Sequence, residues 1–496
     1  MSAIAKRLGE RIWRGAFVLG LAVVSCEETA DDGTTDPFED PTLEPLETTS
    51  RHVTVSGDRL LDEAGREVLL RGYCAGNRAK MPPFLPMELV DGQTVAEGAD
   101  TFFSKLAALG ANTVRLTFSW EAFEPTRGER DAAYLAQYSA MLDAADAHGI
   151  GVIVDFHQDV FASPFCGDGF PLWAIGEEIP HGEPHYDCGY PNWSLPGLDA
   201  ESDVSAAYDR LWQNTDGLQD AMEEMWRAVA RELAGHPAVV GFEVINEPGA
   251  GSIPRETFEA ETLPAFIERM GSAIREEAGD VAVFNGGRFG DAVGNENELA
   301  RPELPGFVFS PHYYNPVISL GLNSIDAPAI EEGLGHALAP AAQWGVPVLL
   351  GEFGTHNDIT VKAEYLDLVL DILDLHHAHA TLWDASIGTQ LWNSEDFSVF
   401  TSQGDEQPWA SSVVRPYPRA VSGRVERFEW NAESRRFEIH VVEAGDAVSE
   451  IYLPVRHLGT SPSVTVQGAR YRFLSDRELL LVRAEAGAAY SVVVTR

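Results

Sequence analysis

From about residue 71 to residue 383 the chain repeats one pattern. A short apolar run is followed by a longer stretch with apolar side chains at helical spacing. The runs include "NTVRLTF" (112–118), "GVIVDF" (151–156), 238–245, 281–284, 307–310, 346–350 and 379–383, with a further one ending at Arg71. Helical stretches stand between them at "ADTFFSKLAALG" (closed by Gly110), 132–148, 218–234, 262–278, 328–343 and 360–376. Runs this short and apolar on both faces suit strands of a parallel sheet covered on both sides. Eight strand–helix units over about 360 residues suit an α/β (β/α)₈ barrel with loop insertions. A doubly wound open sheet is the alternative, but no glycine-rich phosphate-binding turn follows any strand.

The texture changes at both ends of this region. "RLLDEAGREVLLRGY" (59–73) reads as a hairpin turning at Asp62-Glu63-Ala64-Gly65. After "RPYPRA" the segments "FEWNAESRRFEIHVV", "SEIYLPV", "SVTVQGARYRFLSDRELLLVRA" and "YSVVVTR" read as short alternating strands. We expect a catalytic barrel over 51–415 and an all-β sandwich domain over 416–496. The stretch 157–216 shows little periodicity.

Residues 1–26 read as a targeting segment. Lys6, Arg7, Arg11 and Arg14 precede the apolar "GAFVLGLAVVS". Val23-Val24-Ser25-Cys26 resembles the bacterial lipobox, which implies lipidation at Cys26 and an exported protein, membrane-anchored or secreted. Residues 27–50 are acidic and rich in Thr and Pro, so they are expected to form a disordered tether. Lys and Arg number 35 against 77 Asp and Glu, a net charge of −42. That excludes a nucleic-acid partner, since no basic surface exists to neutralise phosphates.

Export permits a disulfide. Cys166 and Cys188 bracket a long loop and are the expected pair, leaving Cys74 as a small buried apolar residue. His181 and His185 share that loop, but the spacing fits no standard zinc pattern. The histidines of "LHHAHA" (375–380) fall at an expected helix end, where they suit the last turn.

Active sites of such barrels lie at the C-terminal ends of the strands. Arg115 stands near the end of strand two. Strand three ends in Asp155-Phe156-His157-Gln158-Asp159 and strand four in Asn246-Glu247. Strand six ends in His312-Tyr313-Tyr314, strand seven in Glu352 and strand eight in Trp383-Asp384. One polar residue at a strand end is usually a loop or cap residue; the coincidence on one rim points to a site. Two carboxylates facing across a polar cleft can cleave a glycosidic bond, one giving a proton and the other attacking the anomeric carbon. The two need different neighbours to hold different pKa values, and Arg115 is the candidate to keep Glu352 ionised. Glu243, on the same strand face as Glu247 by alternation, is either a buried, paired carboxylate or a sign that the strand is irregular.

The set "TVRLTF", "VIVDFHQD", "VINEPG", "SPHYYNP", "LLGEFG" and "LWDAS" resembles glycoside hydrolase family 5, a clan of retaining (β/α)₈ glycosidases, over roughly residues 55–415. The resemblance implies that Glu247 is the general acid/base and Glu352 the nucleophile. It places Arg115, His157, Asn246, His312, Tyr314 and Trp383 around the reacting sugar, with Tyr313 competing for the place of Tyr314. "LLRGYCAGNRAK", "DFHQDVFA", "CGDGFPLWAI" and "RPYPRAVSG" are similar to the endoglycoceramidase branch, in which Lys80 and Asp155 match positions that bond glucose hydroxyls. That branch cleaves between the glucose of a glycosphingolipid and its ceramide. The implied partner is a glycolipid or oligosaccharide substrate, acted on by a monomer with no metal and no organic cofactor. The aromatics Phe161, Phe165, Phe170, Trp173, Tyr186, Tyr190 and Trp193 either line a lipid-facing groove or form the core of their loop. The other readings are a glucosylceramide or steryl-glucoside β-glucosidase, an endo-β-glucanase or mannanase, and a glycan-binding surface lipoprotein without turnover.

Overall fold

The computed structural model describes residues 38–190, 192–296 and 298–496. The expected targeting segment, Cys26 and residues 27–37 lie outside the described residues. Residues 40–50, expected as part of the tether, are instead strapped to the C-terminal sheets. Leu43 is buried with Leu479 and Leu481. The Asp40 N–H bonds the Tyr471 carbonyl at 2.8 Å, and Arg472 donates to the Leu43 carbonyl at 2.8 Å. One docked leucine and its backbone bonds suffice to order a segment that composition alone reads as unstructured. No helix among the described residues is long and apolar enough to cross a membrane.

The eight barrel strands are Arg71–Ala75, Thr113–Phe118, Gly151–Phe156, Val239–Glu243, Ala282–Asn285, Phe307–Phe309, Leu349–Leu350 and His379–Leu382. They form one parallel sheet in which the eighth strand pairs with the first. A bridge between Phe309 and Val348, and the short pair His312–Tyr313 with Glu352–Phe353, join strands six and seven. The first strand begins at Arg71, where the sequence pattern placed its end. The second apolar run of the expected hairpin divides: Glu67–Val68 pairs with Arg59–Leu61, and the rest starts the barrel.

The covering helices start where polar caps precede apolar periodicity. Thr94 and Glu97 form a capping box on Val95–Ala108, and the Asp131 side chain accepts from two N–H groups of Ala132–Ala147. A helix at Asp203–Trp212, capped by Ser202, lies in the stretch that showed little periodicity. Its buried Val204, Ala207, Tyr208 and Leu211 carry the helical spacing.

Inside the barrel two tiers differ in chemistry. The lower tier is apolar: Leu70, Ile153, Val240, Ala282, Phe284, Val308 and Leu349 pack together with Val53 and Leu60. The N-terminal hairpin thus plugs the bottom of the barrel. The upper tier carries the charges described below. The fourth strand bulges at Val240, since Val152 pairs with Val239 and Ile153 with Gly241. The bulge lets Val240 join the lower tier while Glu243 still points inward.

Beyond the barrel lie two antiparallel sheets. One contains Arg424–Asn431, Arg436–Val442, Tyr490–Thr495 and Ser463–Gln467. The other has seven strands, of which Thr54–Ser56, Arg59–Leu61 and Glu67–Val68 come from the N-terminal hairpin and pair through Val68 with Ala420. The C-terminal strands start at Tyr417, and their seven-stranded sheet also takes in strands from residues 54–68. Arg415, at the join, binds Asp367, Asp371 and Asp374 of the helix Lys362–Leu375.

Leu60 is fully buried in this plug. Leu60→Ala is expected to lower the unfolding free energy by about 2–5 kcal/mol in urea denaturation, the range for emptying a packed leucine site. A change below about 0.5 kcal/mol, typical of a surface position, would contradict the plug.

Candidate active site

Arg115 is the hub of the upper tier. Its side chain is fully buried, and every arm of the guanidinium is used. Nε binds Glu243 at 2.5 Å, Nη1 binds Glu352 at 2.7 Å, and Nη2 binds Asp155 at 3.0 Å and the Asn246 amide oxygen at 2.7 Å. Glu243 is thus both a paired carboxylate and a member of a bulged strand. Burial pushes its carboxyl up, and Arg115 opposes that. Four strands deliver these groups, so the planar five-donor fork of arginine is the side chain that can join them.

Glu352 is held ionised. Burial would raise its carboxyl, but the charges of His312, Arg115, His157 and Lys80 bring it down to about 2. The Tyr314 hydroxyl donates to its Oε2 at 2.8 Å. Tyr313 faces elsewhere, accepting from Asn315 at 3.3 Å and packing against Gly333. The geometry therefore gives the place beside Glu352 to Tyr314.

Glu247 has a different setting. Its Oε1 lies 2.8 Å from His312 Nδ1, and burial together with the nearby charge of Glu352 raises its carboxyl above the ordinary range, against the pull of His312. An oxygen of Glu247 and one of Glu352 stand within 4.8 Å of each other. Glu247 holds φ at +34°, a left-handed conformation that costs a non-glycine residue about 1 kcal/mol or more. Gln158 clamps the turn, donating to the carbonyls of Asn246 at 2.6 Å and Glu247 at 3.1 Å. The Tyr208 hydroxyl and the Phe161 N–H hold Gln158 in turn. Gly249 is required here, because a β-carbon would stand 2.4 Å from the Tyr208 ring.

A polar wall faces the pair from the loops after strands one, three and eight. Lys80 binds Asp159 at 2.5 Å, stands 3.7 Å from Glu395, and lies over the rings of Trp383 at 4.3 Å and Trp392 at 4.0 Å. Burial disfavours its charge, but Asp159 and Glu395 raise its pKa well above the usual range. Trp383 stacks on His157 at 5.2 Å. Gly76 makes room for it, since a β-carbon there would meet the ring at 2.2 Å. Burial alone would lower the His157 pKa, yet Asp155 lifts it to about 10. Asp155 itself is fully buried between Arg115 and His157. The position expected to bond sugar hydroxyls is therefore a brace beneath the cleft, and Asp159 takes the place beside Lys80. Asp159 continues the alternation of Asp155 and His157, a signal that was present in "DFHQD". Trp392, Glu395 and Gln158 carry no comparable signal.

The structure joins Cys166 to Cys188, with His185 Nε2 at 3.0 Å from the Cys166 sulfur. Asn393 bonds both half-cystine backbones, through the Cys166 carbonyl at 2.7 Å and the Cys188 N–H at 2.8 Å. The disulfide thereby supports the loop that carries Trp392. His181 donates to the Ile179 carbonyl. Of the loop aromatics, Phe161 and Phe170 stack at 4.1 Å in the core, Trp193 packs on Trp392, and Tyr190 is exposed. They are chiefly core. Cys74 is buried and reduced, its sulfur 3.1 Å from the Gly351 carbonyl. Of the "LHHAHA" histidines, His376 caps the helix, whereas His379 lies in strand eight and accepts from the Leu70 N–H at 3.0 Å.

Comparison with known proteins places this geometry among relatives. The family model described as Cellulase (glycosyl hydrolase family 5) matches residues 61–388, and that of the Glycoside hydrolase family 5 C-terminal domain matches 415–494. Endoglycoceramidase I of Rhodococcus hoagii is 28% identical over 467 residues, which span 89% of this chain and 87% of that protein. The structure of endo-glycoceramidase II from Rhodococcus sp. with ganglioside GM3 superposes with a TM-score of 0.75 at 26% identity, over 89% of this chain and 99% of that one. The structure of its lactosyl-enzyme intermediate gives 0.74 at 27% identity, over 88% and 99%.

Removing the hub should be severe. Arg115→Met would strand three carboxylates in the barrel interior, and a stability loss of about 3–5 kcal/mol is expected by denaturation, together with loss of turnover. Arg115→Lys should restore neither, because one ammonium cannot reproduce the fork. Near-normal stability and turnover in either variant would contradict the hub.

Proposed function

The chain belongs to glycosyl hydrolase family 5, and we propose that it is a retaining β-glycosidase that cleaves the bond between the glycan and the ceramide of glycosphingolipids. The observation that carries the reaction class is the pair Glu247 and Glu352, oxygens within 4.8 Å, with opposite electrostatic settings. That spacing suits direct attack on the sugar, whereas an inverting pair stands about 6.5–9.5 Å apart to admit a water. In the first step a Glu352 oxygen attacks the anomeric carbon. Glu247 gives its proton to the glycosidic oxygen, the bond breaks, and the alcohol leaves. In the second step Glu247, now a carboxylate, takes a proton from water. The water oxygen displaces Glu352 and releases the glycan. Asn246, fixed by Arg115, is the candidate to bond the sugar 2-hydroxyl.

Two features support a glycolipid. The barrel order sets strands five and six opposite strands one and two. The polar wall of Lys80, Asp159, Trp383 and Glu395 suits the sugar. The opposite rim exposes Val293, Val317, Leu320 and Leu322, and residues 313–325 contain no charged residue in a chain of net charge −42. An apolar leaving group suits that rim. The relatives named above carry the same specificity in their names. The lipobox-like Val23-Val24-Ser25-Cys26 supports a lipid anchor at Cys26 and an exported location.

The test is product identification. Purified protein incubated with a ganglioside, with glucosylceramide and with cellulose or mannan should release intact glycan and ceramide from the first, read by mass spectrometry. Sugar release from the polysaccharides without ceramide release would overturn the specificity. Glu352→Gln should abolish turnover, and Glu247→Ala should recover rate with azide on an activated aryl glycoside. The pH profile follows from the pair. Glu352 must be ionised, which holds above about pH 2. Glu247 must be protonated, which holds below its raised pKa. Hence kcat/KM should decline on the alkaline side, with a midpoint above the usual glutamate value of about 4.3. A profile that rises through pH 4–7 would contradict these roles.

A further inference from the structure

Beside His312, between the ends of strands four to six, the loop after strand five and the helix Ala327–Trp344, lies a small cavity of about 20 Å³ that Glu247 also lines. Its wall includes Glu243, Ser310, His312 and, from the loop after strand five, Gly286, Gly287, Arg288 and Asp291. Three buried atoms on this wall have no hydrogen-bond partner among the described residues: His312 Nε2, Ser310 Oγ and Asp291 Oδ1, the last of which is ion-paired with Arg288 at 3.3 Å. Ser310 is fully buried and His312 is 7% exposed. Gly351 shows that the His312 and Ser310 atoms border one spot. A β-carbon on that glycine would stand 2.6 Å from Ser310 Oγ and 2.9 Å from His312 Nε2.

Leaving such groups unpaired in the interior is unfavourable. A polar cavity of roughly 10–15 Å³ or more with two to four polar partners holds a water. We propose that one internal water occupies this cavity, bonds His312 Nε2 and Ser310 Oγ, and keeps the imidazole Nδ1–H directed at Glu247, so that Ser310 is a positioning residue for the general acid. The chemistry explains why a water suits the place. When the imidazole is charged, Nε2 is a donor and needs an acceptor; when it is neutral with its proton on Nδ1, Nε2 is an acceptor and needs a donor. Water serves both, so Nδ1 can donate to Glu247 Oε1 throughout the cycle and the transferable proton stays on Oε2. The groups that set the charge of His312 are Glu247 at 2.8 Å, Glu352 at 3.6 Å, Arg115, and the cavity-lining Glu243, Asp291 and Arg288, the last two paired at 3.3 Å.

This inference rests on Glu247 as the acid/base, and its tests separate the two. A crystal structure of the unliganded protein at about 1.5 Å resolution should show a density peak within hydrogen-bond distance of both His312 Nε2 and Ser310 Oγ; no peak there overturns the proposal, whatever the enzyme does. Ser310→Ala should lower kcat/KM several-fold, up to about tenfold, more on a glycolipid, whose alcohol needs a proton to leave, than on a dinitrophenyl glycoside, which does not. The alkaline limb of the glycolipid profile should move to higher pH, by roughly half a unit to one unit, because a charged imidazole that has lost a partner pulls less on the Glu247 carboxyl. Equal losses on both substrates with an unmoved limb would reduce Ser310 to packing and overturn the proposal. Full activity of Glu247→Ala on glycolipid would instead remove the reading beneath it.

Discussion

One buried arginine organises this site. Arg115 faces Asp155, Glu243 and Glu352, three carboxylates from three other strands, and also holds Asn246. Without it these buried carboxylates would lose their common cationic partner. Each contact also fixes a different part of the apparatus: Asp155 orients His157, Asn246 leads into Glu247, and Glu352 is oriented and kept ionised. The guanidinium joins the ends of four strands into one geometry.

The two glutamates come from similar-looking segments, an apolar run ending in a carboxylate, yet their settings diverge. Glu352 has Arg115, Tyr314 and a surplus of positive charge nearby. Glu247 has a single imidazole and the repulsion of Glu352. Two chemically identical side chains thereby acquire the two protonation states that double displacement needs. The left-handed backbone at Glu247, clamped by Gln158 and Tyr208, is a local strain that aims the acid and that the surrounding helix sustains.

Much of this was legible in the sequence, for a physical reason. Strands buried on both faces leave continuous apolar runs, and a barrel exposes the residue that ends each run at one rim. The two glutamates at the rim, Arg115 and the aromatic of strand eight could therefore be located directly. Contacts that depend on where a loop folds back could not. Glu395 and Trp392 reach Lys80 because Asn393 is pinned to the disulfide loop and Asn77 bonds Trp392 and Glu395. Asp155 and Asp159 share a strand face, and depth in the barrel, which a sequence does not display, decides which is brace and which meets the cleft. The N-terminal hairpin was recognisable, but its two duties, plugging the barrel and extending the C-terminal sheet, arise from contacts with residues up to some 350 positions away in sequence.

The central claim is that Glu352 forms a covalent bond to the sugar while Glu247 handles the proton. It is tested most directly by trapping that intermediate. Incubation with a 2-deoxy-2-fluoro glycoside bearing a good leaving group, followed by proteolysis and mass spectrometry, should give one peptide heavier by the fluorosugar, with the label on Glu352. Label on any other residue, or turnover with inversion at the anomeric carbon and no labelled peptide, would contradict the account.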